Sequence, residues 1–178
     1  MEGISRARLL ASATAIGVLG MPLLTAFVDA AQNASPDDIA TLNTAIELER
    51  AGIKAYDDAA ATHLLAPGVL AVALSFRKDH VAHRDALIAA VKAGGGVPSA
   101  ATAKLEYPAL KTQNDILTFA KTVEERAAST YLSVIPDFKD RKLAGVAASI
   151  LGVETTHVAL LAQALNELPA YPSAFVTQ

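Results

Sequence analysis

The chain reads as an all-α, antiparallel four-helix bundle, and three observations predict it. Hydrophobic residues make up 52% of the 178 positions, aromatics only 5%, and β-branched runs are sparse, which favours closely packed helices over sheets. Leu143, Ala147, Ile150, Glu154, His157, Leu161, Ala164 and Leu168 recur at alternating steps of four and three, a heptad seam that should face a core. The chain also matches itself. At an offset of 74 the seam corresponds to Val69, Ala73, Phe76, His80, His83, Leu87 and Ala90; at 75, Leu42, Ala45, Glu49, Gly52 and Tyr56 correspond to Leu117, Ala120, Glu124, Ala127 and Tyr131. The matches predict one helical hairpin used twice.

Residues 1–30 are expected to stand outside this bundle. Arg6 and Arg8 precede twenty uncharged residues, 9–28, and Val28-Asp29-Ala30 offers the small residues a signal peptidase reads. Ser5-Arg6-Ala7-Arg8-Leu9-Leu10 is similar to a twin-arginine motif with its second arginine displaced by one. An export signal therefore leads to a periplasmic or cell-envelope protein. Twenty apolar residues also just suffice to cross a bilayer at about 1.5 Å each, so an uncut membrane anchor is the alternative.

Residues 31–178 then form the bundle, after a disordered lead over 31–34. Ser35 is the expected cap of the first helix, with Pro36 at its first position and Asp37 and Asp38 near the positive end of the dipole. That helix is predicted to run to about residue 64. Ala66-Pro67-Gly68 breaks the chain tightly, so a second helix over 69–93 runs antiparallel to it. Gly94-Gly95-Gly96 ends that helix, and residues 94–111, without sustained periodicity, form a long crossover. Thr112 with Asp115 makes a capping box for a third helix to about residue 135. Pro136-Asp137 turns the chain and caps the fourth, which ends before Pro169, leaving Tyr171 and Phe175 to pack outside.

Composition removes several function classes. The net charge of -3 with no long basic run points away from nucleic acid and from an anionic membrane surface. With no cysteine there are no disulfides, thiolate sites or iron–sulfur clusters, so His and carboxylates are the strong metal ligands. No Gly-rich phosphate loop or nucleophile motif competes.

The seams carry the chemistry. Glu154 and His157, three apart, share a helix face and fall at core positions, where an unpaired carboxylate costs on the order of several kcal/mol. Such a residue needs a counter-charge or a proton. The duplicated hairpin brings Glu49, His80 and His83 to face Glu124, Glu154 and His157, six potential ligands. His80 is either a ligand or a buried histidine hydrogen-bonded to a carboxylate. Tyr56 and Tyr131 fill core positions, hydrogen-bond ligand carboxylates, or both. Glu47, Asp79 and Glu125 point off the seam and are expected on a solvated face, with Glu125 a reserve ligand. His63 stands about 21 Å along the helix from Glu49 and belongs to a helix end.

Over residues 38–168 these motifs resemble the ferritin-like superfamily of non-haem di-iron and di-manganese carboxylate bundles, bacterioferritins and rubrerythrins among them. Glu49 with Tyr56, and Glu124 with Tyr131, match its Glu followed seven residues later by Tyr. Glu154 with His157 matches its Glu-x-x-His motif, and His83 matches the histidine of the other copy. His80 departs, standing where the family carries a metal-bridging glutamate. The resemblance implies one or two ions of iron or manganese, with zinc compatible with the ligands, held by Glu49, His80, His83, Glu124, Glu154 and His157, with Tyr56 and Tyr131 behind them. It further implies redox or metal detoxification with O2 or peroxide, of ferroxidase or peroxidase type. The rival reading is a metal-free structural or partner-binding subunit. A homo-oligomer or larger complex is compatible with either.

Overall fold

A computed structural model describes residues 28–167. Four helices follow in order: α1 Pro36–Ala61, α2 Pro67–Ala93, α3 Gln113–Val134 and α4 Arg141–Ala164, with a 3-10 turn at Ile135–Asp137 between the last two. α1 packs chiefly on α2 and α3 on α4, and α1 also meets α3. Among the described residues there is no strand. This is the expected bundle of two hairpins joined by a crossover.

Local chemistry accounts for each start. Ser35 Oγ accepts from the Asp38 amide at 3.1 Å while Asp38 Oδ2 accepts from the Ser35 amide at 2.9 Å, a reciprocal cap. Asp38 does more than complement the dipole: its Oδ1 accepts from the Lys139 amide at 2.7 Å, and the residue is buried. Pro67 opens α2, and Thr112 with Asp115 caps α3 as expected. The fourth helix begins later than its sequence suggested. Pro136 and Asp137 lie in the 3-10 turn, and Asp140 is the cap, accepting from the Lys142 amide at 2.7 Å. α1 ends at Ala61 rather than near residue 64, and exposed His63 takes the left-handed conformation (φ 57°).

The crossover runs without helix and is pinned to α1. Asn43 Nδ2 donates to the Val97 carbonyl at 3.1 Å, Asn43 Oδ1 accepts from the Ser99 amide at 2.7 Å, and Ser99 Oγ donates to Glu47 Oε1 at 2.6 Å. Glu47 is thus a fastening for the crossover and not a purely solvated charge. The lead also differs from expectation: residues 28–31 are helical, and Ala30 and Ala31 are buried against the core. The expected export segment otherwise falls mostly outside the described residues, as do Tyr171 and Phe175.

Among the described residues the seams are buried as the heptad requires, except half-buried Val69, Ala73 and His83 and exposed Ala164. They divide the interior into layers. Leu42, Ile46, Leu87, Val91, Tyr131, Leu143 and Ile150 belong to one apolar cluster, and Tyr56, Phe76, Leu117, Ala120 and Leu161 to another. Between them in sequence along every helix come Glu49, His80 with His83, Glu124, and Glu154 with His157. All but the half-buried His83 are fully buried.

Candidate metal centre

The six predicted residues meet. Glu49, His80, His83 and Glu154 form one group, and His80, Glu124, Glu154 and His157 a second; within each, the offered ligand atoms lie within 4.8 Å of one another. Glu154 faces both groups: its Oε1 is 3.1 Å from His83 Nδ1 and its Oε2 is 3.4 Å from His157 Nδ1. His80 also faces both, with Nδ1 2.7 Å from Glu49 Oε2 and Nε2 3.3 Å from Glu124 Oε1.

The tyrosines join the two hairpins. Tyr131 Oη donates to Glu49 Oε1 at 2.5 Å, and Tyr56 Oη donates to Glu124 Oε1, so each phenol fixes the carboxylate carried by the other's helix. Both are buried, and burial together with the adjacent carboxylate pushes each phenol's pKa well above its usual value, which keeps them as donors. Both sequence readings of these residues hold together. Phe76 stacks on His157 with ring centroids 3.9 Å apart and meets Tyr56 edge-on, closing the centre from the second apolar cluster.

One residue escaped the sequence reading. Asp79 does not simply face solvent: its Oδ2 lies 3.3 Å from His157 Nε2, across from α2 to α4. A carboxylate at the outer nitrogen places the proton there and leaves Nδ1 facing the centre, the arrangement that orients metal-binding histidines. The available signal was heptad position. Asp79 immediately precedes seam residue His80, at a flanking place where charged side chains reach the neighbouring helix. Glu125, by contrast, is exposed and 3.7 Å from Lys121, so it is no ligand here.

Charge governs the rest. Burial pushes the Glu49 carboxyl up, but His80 and His83 against it more than offset this and hold it at about 2. Burial pushes the His83 imidazole down, while Glu154 and Glu49 carry it up to about 9. His80 and His157 are likewise raised despite burial, His80 by Glu124 and Glu49, His157 by Asp79, Glu124 and Glu154. Burial raises the Glu154 carboxyl. Each imidazole and the carboxylates Glu49 and Glu124 thus favour one another's charged form, while burial favours the neutral form of Glu154.

Protons do not satisfy every atom. Five buried atoms of the cluster have no hydrogen-bond partner: His83 Nδ1, Glu124 Oε2, both oxygens of Glu154, and His157 Nδ1. Buried polar atoms are ordinarily paired, and leaving one unpaired costs about 1–3 kcal/mol. Their convergence from α2, α3 and α4, in a mixed imidazole and carboxylate set, fits a divalent transition-metal ion.

The sequence matches the ferritin-like domain family over residues 37–167. This chain belongs to that family. Two solved structures are similar in fold to this ferritin-like chain. A conserved hypothetical protein from Mycobacterium tuberculosis superposes with a TM-score of 0.65 at 23% identity, covering 83% of this chain and 99% of its own. A ferritin-like, diiron-carboxylate protein from Bacillus anthracis str. Ames gives 0.62 at 21% identity, covering 74% and 99%. No curated protein matches. The ferritin-like bundle and the buried His and Glu cluster together fit a metal-binding protein.

Proposed function

We propose that this ferritin-like protein holds iron or manganese between its helices and uses it in oxidoreductase chemistry with dioxygen or peroxide, as in ferroxidase or peroxidase reactions. The observation that carries the reading is the set of five buried atoms without a hydrogen-bond partner, shared between two adjoining groups of potential ligands. Glu124, Glu154 and His157, with His83, Glu49 and His80, are the residues that would hold the metal, which would supply one-electron redox chemistry. Asp79 orients His157 and Tyr56 and Tyr131 orient Glu124 and Glu49, so the donors are placed before an ion arrives.

A cavity beside the centre supports a small apolar co-substrate. Beyond Tyr56 and Phe76 lies a cavity of about 50 Å³ lined by apolar side chains including Val69, Val72, Leu117 and Leu161. Dioxygen partitions into such a space more readily than water does. Phe76, stacked on His157, separates it from the ligands and keeps bulk water off them.

Reconstitution with Fe(II) or Mn(II) tests the reading. Bound metal and a raised melting temperature are expected. Neither bound metal nor a thermal shift would leave the metal-free, partner-binding bundle as the surviving account. Export is a separate part of the proposal, resting on the sequence of residues 1–30, read as a cleaved export signal with an uncut membrane anchor as the alternative. Intact mass of the chain recovered from the cell envelope decides it, since loss of residues 1–30 contradicts retention.

A further inference from the structure

We propose that Gly52 is the positioning residue for His80, and that the two together make this a one-ion centre whose halves compete for a single imidazole. The inference rests on the metal-binding reading above and deepens it.

The seat is steric. A Cβ added at Gly52 would stand 2.9 Å from His80 Cε1 and Nδ1 and 3.0 Å from Cγ, closer than side chains tolerate. The ring has little room to retreat. Glu49 and Glu124 hold its two nitrogens, and the rings of Tyr56, His83 and His157 surround it at centroid separations of 5.6, 6.2 and 5.9 Å. Glycine at 52 therefore lets the imidazole lie against the α1 backbone, with one nitrogen presented to each half. At the corresponding places in the other hairpin the sequence has Ala127 and Glu154.

The consequence for ion count follows from donor chemistry. A carboxylate can serve two ions at once, one through each oxygen, and Glu154 faces both halves in this way. A neutral imidazole has a lone pair on one nitrogen and an N–H on the other. When one nitrogen of His80 takes an ion, the other directs its N–H into the second half, donating to the carboxylate there and opposing a second cation. The distances choose the half. The Nδ1 contact to Glu49 is 2.7 Å and the Nε2 contact to Glu124 is 3.3 Å, so Nδ1 carries the hydrogen and Nε2 is the ligand. Three of the unpaired atoms, Glu124 Oε2, Glu154 Oε2 and His157 Nδ1, lie on that same side. The ion site is then His80 Nε2, His157 Nδ1, Glu124 and Glu154, buttressed by Asp79.

Titration of the full chain with Mn(II), followed by elemental analysis and EPR, tests this. Wild type should bind one Mn(II) per chain with the signal of an isolated ion. His80→Glu should bind two, with the signal of a coupled pair. Gly52→Ala should keep its helix content by circular dichroism but lose 10- to 100-fold in affinity, the usual effect of disturbing what orients a ligand. In Gly52→Ala with His80→Glu, the more flexible carboxylate should restore tight binding. Two ions per wild-type chain, one ion in His80→Glu, or wild-type affinity in a folded Gly52→Ala each overturn the proposal. Should Gly52→Ala fail to fold, the His80→Glu stoichiometry decides. A wild-type chain that binds no metal would instead overturn the metal reading itself.

Discussion

Removing the Asp79 carboxylate should weaken metal binding without touching a proposed ligand. Its Oδ2 lies 3.3 Å from His157 Nε2, and the side chain is 28% exposed, so this is a long, partly solvated, charge-assisted bond. Disrupting such a partner generally costs 10- to 100-fold in affinity. The length and exposure place Asp79→Ala near the lower end, about tenfold or about 1.4 kcal/mol. Asp79→Asn, which keeps an acceptor but loses the charge, should fall between Ala and wild type. A second effect has the opposite sign. Asp79 also stabilises protonated His157, and protons compete with metal for that ring. The variant should therefore suffer least at low pH, and its deficit should grow as pH rises. Competition between the protein and a calibrated chelator for Mn(II), repeated at several pH values, measures both. An Asp79→Ala affinity within twofold of wild type at every pH, or a deficit that shrinks with rising pH, would refute the assignment.

Glu154→Ala removes the carboxylate facing both halves and should abolish metal-dependent thermal stabilisation; unchanged metal content would reject Glu154 as a ligand. Tyr131→Phe deletes the donor to Glu49 Oε1 inside the bundle and should destabilise the metal-free protein by about 1–3 kcal/mol in urea unfolding, with a loss under 0.5 kcal/mol as the contrary result. The metal-free protein should also show a pH-dependent stability of known sign. His83, raised from 6.5 to about 9, contributes fully below 6.5 and loses its contribution as pH rises through 9; Glu49, lowered from 4.5 to about 2, contributes above 4.5 and loses it as pH falls through 2. Stability should accordingly be highest between about 4.5 and 6.5 and decline by a few kcal/mol toward pH 9, while metal affinity rises over the same interval. Paired urea titrations and metal titrations check both slopes.

The heptad seams were sufficient to find the buried His and Glu cluster because burial in a bundle follows a simple angular rule, and a polar residue on that stripe stands out. Glu49, His80, Glu124, Glu154 and His157 announce themselves in this way. Capping chemistry was legible where the side chain and its partner are neighbours in sequence, as at Ser35 and Thr112. It failed at the fourth helix, where Asp137 and Asp140 are both competent caps and packing of the 3-10 turn selects the second. Asp79 and Glu47 were misjudged for a related reason. Each sits beside a buried stripe, and only the tertiary placement of α4 or of the crossover gives it a partner. Gly52 was visible as a match to Ala127, but no pattern of residue types could reveal that an imidazole ring rests on its missing side chain.

Asp38 joins elements far apart in the chain through its two oxygens, one tied to the start of α1 and the other to the peptide at Lys139. Parting the hairpins there would break the Lys139 contact, and at the opposite end of the bundle the Ala66 amide donates to Gln113 Oε1 at 2.8 Å across the same two hairpins. The two hairpins are thereby fastened at both extremities, and the buried polar layer lies enclosed between the fastenings.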